Sequence, residues 1–226
     1  MDYGKRKSYH DNDYNDDYEW GEEKSNPYKE IYKRRKLLDT SINHPLIYTV
    51  NNEVHFTAGV DKDTIEEVIK QISMIISQNK KKYEGTNDTL DITYIVDSPG
   101  GSVVSILKFV DFIYTAKKKY PFVRFISVIT GLVASAGTIM CVIADKRLMM
   151  PHAHAMIHEL SAGNSGKYTH LLSHNDFLKQ LHEDLVDIYL KGRCKKTKEE
   201  LERLLKDETW YNSTDYMKAG FVDEIM

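Results

Sequence analysis

Two cysteines in 226 residues, Cys141 and Cys194, cannot build a disulfide framework, which points to a reducing compartment. No apolar run approaches the ~18 residues that a membrane-spanning helix needs. The N-terminus lacks the apolar core of a secretory signal, so cytoplasmic residence is expected. A charge excess is missing too. The 31 basic and 34 acidic side chains leave −3, which gives no electrostatic reason to expect nucleic acid as the partner. Branched aliphatic residues are nearly absent from positions 1–36, where Ile31 stands alone among six tyrosines, Trp20, charges and asparagines. Such a segment buries too little apolar surface to offset its ordering entropy. Its charge is segregated, with seven acids and no base over residues 11–23 and then Lys33-Arg34-Arg35-Lys36. Residues 1–44 are therefore expected to be a low-complexity, disordered N-terminal extension, either plainly solvated or ordering on a partner. Residues 45–226 are expected to be one folded domain.

Within that domain, residues 46–57 have strand-like content with a turn at Asn51-Asn52. Residues 61–78 have a helical apolar stripe of Val68, Ile69, Ile72, Ile75 and Ile76, with Asp63 or Thr64 as cap, and residues 79–88 form a polar loop. Residues 92–96 are short and apolar, as a parallel strand buried on both faces should be. A helix over 103–118 is stopped by Pro121, and a second buried-type strand covers 122–130. A small-residue segment follows over 132–144, then strand-like stretches at 147–150 and 153–160. Helices are expected over 167–191, 197–206 and 212–219, the last capped by Asn212 with Gly220 at its end. Alternating strands and helices predict an α/β fold with a largely parallel core sheet. Sites in such sheets form where loops leave the carboxyl ends of strands.

Two such loops are built from small residues. Ser98-Pro99-Gly100-Gly101 is either an ordinary strand-to-helix turn or a loop that lets the main chain approach a ligand closely. Gly131-Leu132-Val133-Ala134-Ser135-Ala136-Gly137 is either a small-residue helix packed tightly against a neighbour or a segment that places an unhindered serine at a helix start, where free N–H groups and the helix dipole can stabilise an oxyanion. His152, His154 and His158 share one strand parity, but a metal site draws ligands from more than one element, so no metal is expected. His158, beside Met156-Ile157, is either a core histidine satisfied by backbone or a general base.

Taken in order, Asp97-Ser98-Pro99-Gly100-Gly101, the Gly131–Gly137 segment, Pro151 followed by Met156-Ile157-His158, and Ala219-Gly220-Phe221-Val222-Asp223-Glu224-Ile225 resemble the ClpP family, the proteolytic subunit of the Clp protease. The resemblance covers residues 46–226. It implies a ClpP/crotonase-like α/β fold with a parallel core sheet, flanking helices and a protruding handle helix. It implies serine peptidase chemistry without a cofactor: Ser135 as nucleophile, His158 as its base, and the N–H groups of Gly101 and Ala136 as oxyanion donors. Where the family usually has the triad aspartate, this chain has Glu208, with Asp207 beside it; Glu208 is taken as the third member. Implied partners are peptide or unfolded-protein substrates, further copies in stacked rings and an AAA+ unfoldase. Thr93 and Ile95 stand at two positions of the rim pocket that receives the unfoldase. The handle would be the helix over 167–191, whose stripe runs through Leu171, Leu172, Phe177, Leu178, Leu181, Leu185, Ile188 and Tyr189.

Three other readings compete. A non-catalytic ring subunit would tolerate Glu208 but has no need of Ser135 and His158. An acyl-CoA enzyme of crotonase type shares the fold but requires no serine–histidine pair. A binding module would place function in the tail.

Overall fold

A computed structural model describes residues 46–226; the expected extension over 1–44 lies outside them. Strands β1 (Ile47–Val50) and β2 (Glu53–Phe56) form an antiparallel hairpin. Its turn uses Asn51 at φ +55°, a left-handed conformation that asparagine tolerates better than most side chains.

Helix α1 (Lys62–Tyr83) begins one residue later and ends five residues later than the expected 61–78. Its cap is Asp61, which accepts from the Thr64 N–H while the Thr64 hydroxyl accepts from the Asp61 N–H. Lys80, Lys81 and Lys82 fill the last turn before Tyr83, which packs against the core, and their charges suit the negative helix end. Strand β3 (Leu90–Ser98), helix α2 (Val103–Lys119) and strand β4 (Val123–Ala134) follow as a parallel β–α–β unit. Then come α3 (Ala136–Val142), β5 (Lys146–Met149), β6 (His154–Ile157), α4 (Tyr168–Lys191), α5 (Lys198–Lys206), β7 (Thr209–Asn212), α6 (Ser213–Lys218) and β8 (Glu224–Ile225).

The main path of the sheet is β1-β2-β3-β4-β5-β8, and β6 branches off β4 to pair with β7. The pairs are parallel except β1–β2 and β6–β7. This is the α/β architecture expected, with one correction. β3 is not covered on both faces: Leu90, Ile92, Tyr94, Val96 and Ser98 are buried, whereas Thr93 and Ile95 between them are only half-buried. On the covered side, Ile65, Val68 and Ile72 of α1 and Ile106, Phe109 and Ile113 of α2 join the core. Every residue of α3 is buried, so the segment after Ser135 is the central helix of the domain.

Arg147, 3% exposed, locks the C-terminal segment down. It donates to both carboxylate oxygens of Asp223 and to the carbonyls of Gly192 and Gly220. Burial alone would push the Asp223 carboxyl up, but the Arg147 hydrogen bonds and charge outweigh it and hold it below its ordinary value.

α4 divides in two. Its second half is anchored through buried Leu181, Val186, Ile188 and Tyr189. Its first half stands clear of the domain and carries apolar side chains into water, with Tyr168 at 74% and Phe177 at 46% exposure alongside Leu171 and Leu172. No helix among the described residues is long and apolar enough to cross a membrane.

Candidate active site

Ser135 lies between the end of β4 and the start of α3, at φ +53° and ψ −129°. A serine in that region is strained and is held by its surroundings. Its N–H donates to the Met156 carbonyl at 2.9 Å, tying the turn to β6. Its carbonyl accepts from the Thr138 N–H at 3.0 Å and from the Thr138 hydroxyl at 2.6 Å. That hydroxyl also shares a hydrogen bond with Tyr189 of α4. Burial pushes the Tyr189 phenol up while Thr138 pulls it down, and the net shift is upward, so it stays neutral as a structural link. Thr138 and Tyr189 are supporting residues that no motif pointed to.

The Ser135 hydroxyl meets His158 Nε2 at 2.7 Å. His158 follows the last residue of β6, and both side chains are half-buried. The strand delivers the ring to the mouth of the serine turn without sealing it from solvent. His152 and His154 point elsewhere: both are exposed, and no group of three His, Cys, Asp or Glu residues among those described could hold a metal ion.

The glycine loop packs directly on the serine turn. A Cβ at Gly100, φ +86°, would lie 2.5 Å from the Ala134 carbonyl oxygen and 2.6 Å from the Ser135 Cβ. Only a residue without a side chain fits there. The loop is braced at both ends. The Ser98 hydroxyl donates to the Ala58 carbonyl at 2.7 Å and accepts from the Gly100 N–H at 3.2 Å, while the Gly100 carbonyl accepts from the Val60 N–H at 2.8 Å. The N–H groups of Gly101 and Ala136 make no hydrogen bond to another described residue, so both donors are available beside Ser135.

Glu208 approaches through backbone register. β6 and β7 pair antiparallel up to Ile157 opposite Thr209, and one further step sets Glu208 across from His158. Glu208 adopts φ +50° in the turn after α5, and its exposed carboxylate makes no hydrogen bond with another described residue. Asp207, also exposed, is the C-cap of α5. β7 was not foreseen in the sequence, and it is the strand that brings this turn to the histidine. The structure thus unites Ser135, His158, Gly101 and Ala136, and places Glu208 beside them by its main chain.

A family profile described as Clp protease matches residues 46–226, the whole of the described chain. The chain belongs to the Clp protease family. It is similar to ATP-dependent Clp protease proteolytic subunit 1 of Chlamydia trachomatis serovar D, at 26% identity over 85% of this chain and 89% of that protein. The same-named subunit of Chlamydia muridarum shows the same identity and coverage. The ATP-dependent Clp protease proteolytic subunit of Streptococcus gordonii is 28% identical over 76% of this chain and 83% of its own. Membership in the Clp protease family makes this chain a hydrolase of ClpP type, with serine peptidase chemistry at family level. It also accounts for the α/β fold with a projecting α4.

Proposed function

We propose that this chain is a catalytically active serine endopeptidase subunit of a self-compartmentalising ring protease. The observation that carries the reading is the 2.7 Å contact between His158 Nε2 and Ser135 Oγ, at a strained turn flanked by two unused N–H donors. In the reaction, His158 Nε2 takes the hydroxyl proton as Ser135 Oγ attacks the scissile carbonyl. Gly101 and Ala136 hold the resulting oxyanion. His158 then gives the proton to the leaving amine, and water repeats the sequence on the acyl-enzyme. Glu208 turns its carboxylate to the far ring nitrogen and fixes the tautomer. Nothing in this cycle consumes ATP. Folded substrates are supplied by an AAA+ unfoldase, and protein quality control is the setting. The bare half of α4 supports assembly into stacked rings. Cys141 is buried and Cys194 half-buried, both free thiols, which suits a cytoplasmic protein.

A second reading, a ring subunit without catalysis, is favoured by one observation: the exposed Glu208 carboxylate without a hydrogen bond to the histidine. Intact-mass analysis after fluorophosphonate treatment separates the two. Wild type should gain one adduct, Ser135→Ala none, and His158→Ala and Glu208→Gln should label at least ~100-fold and ~10-fold more slowly, respectively. No adduct on assembled wild type establishes the second reading.

A further inference from the structure

Strands β3 and β4 run in step from Leu90 opposite Val123 to Val96 opposite Ile129, and the next pair is Ser98 opposite Val133. A single β3 residue, Asp97, therefore faces three on β4: Thr130, Gly131 and Leu132. β4 changes its other neighbour at the same place. Residues 126–129 pair with β5, whereas residues 132–134 pair with β6. The bulge is thus the corner at which the strand leading to Ser135 leaves β5 and joins the strand leading to His158.

The Asp97 side chain fills this corner. Its Oδ1 accepts from the Leu132 N–H at 3.2 Å. Gly131 bends at φ +62°, and a Cβ there would lie 3.2 Å from Asp97 Cγ and from both carboxylate oxygens. Beyond the bulge, three paired residues lead to Ser135, whose N–H rests on Met156, two residues before His158. The β4–β6 register therefore sets the distance from hydroxyl to imidazole, and a slip of one residue would change it by about 3.3 Å.

We infer that Asp97 is a positioning residue for the Ser135–His158 pair, acting through the backbone of the β4 bulge; this rests on the reading of Ser135 as an activated nucleophile. It touches neither substrate nor reacting atoms. Its requirement is a planar group with an acceptor oxygen at Leu132, thin enough to lie against Gly131. Asparagine meets that requirement and alanine does not.

The test uses the assembled full chain, with fluorophosphonate labelling rates and peptide-hydrolysis kcat and KM for wild type, Asp97→Ala and Asp97→Asn. Asp97→Ala should label about 10- to 100-fold more slowly, as expected for misplaced reacting groups. Its kcat should fall with KM nearly unchanged, and the pH midpoint of labelling, which belongs to His158, should stay. Asp97→Asn should recover labelling to within a few-fold of wild type. Equal labelling of wild type and Asp97→Ala overturns the inference. So does an equal loss in both variants, which would assign the effect to charge. If Asp97→Ala fails to assemble, Gly131→Ala carries the test by crowding the same carboxylate, and an unchanged rate there overturns the inference too. A wild type that does not label at all defeats the nucleophile reading first, and this inference with it.

Discussion

At the scale of single residues, the site is a contest between two tight turns. Ser135 holds a left-handed conformation because β6 takes its N–H and Thr138 takes its carbonyl. Gly100 lies so close that a single methyl group must displace one turn or the other. Gly100→Ala should therefore lower the labelling rate by about 100-fold, with a stability loss of about 1–3 kcal/mol, measured on one sample by mass spectrometry and thermal unfolding. Labelling of wild type should also decline toward acid, because a protonated His158 accepts no proton from the serine. A rate that does not change from neutral to strongly acid pH would remove His158 from its role. The serine turn and the glycine loop were legible in the sequence, since small residues around a serine and two glycines after a strand leave a local mark, whereas His158 read equally as a core histidine until the resemblance singled it out. Thr138 and Tyr189 left none: their value lies in a hydrogen bond between residues 51 positions apart. Glu208 was legible only through resemblance, because its nearness to His158 depends on a strand pairing.

At the scale of elements, the longer helices and the central strands followed from periodicity, and the failures share one cause. β7 and β8 are four and two residues long and exist through pairing with β6 and β5, so their own sequence carries no period. The last turn of α1 carries three lysines before Tyr83 and was taken for loop. Asp61 was passed over as its cap because Asp63 and Thr64 looked equally able. Asp61→Ala should cost about 1 kcal/mol, detectable as a lowered denaturation midpoint with unchanged labelling. α4 offers a stronger test. Leu172 and Phe177 lie on its projecting half and add nothing to the core of their own subunit. Leu172→Glu with Phe177→Glu should leave the circular dichroism spectrum intact and reduce the assembled mass in sedimentation. An unchanged mass would show that this half of the helix holds no second copy.

At the scale of the whole molecule, the last residues are fastened to the sheet by an ion pair. Arg147 is nearly sealed from solvent, and Asp223 is its acidic partner. The folded Asp223 carboxyl is depressed below its ordinary 3.8, so its stabilisation is present above that value and is lost as pH falls through the folded one. Asp223→Asn should lower stability near neutral pH by about 1 kcal/mol, since the exposed carboxylate is partly screened by solvent and Arg147 keeps the Gly192 and Gly220 carbonyls. The melting temperatures of variant and wild type should converge toward acid. Parallel curves would mean that the pair does not titrate with folding.

On the proposed ring assembly, the bare half of α4 would make dilution an inhibitor. A complex held by that strip sheds subunits as concentration falls, and each freed subunit carries a greasy rod that any apolar surface can trap before its proper counterpart arrives. Activity lost on dilution should return only in part on reconcentration, and more fully when the subunits are kept apart from such surfaces in the meantime.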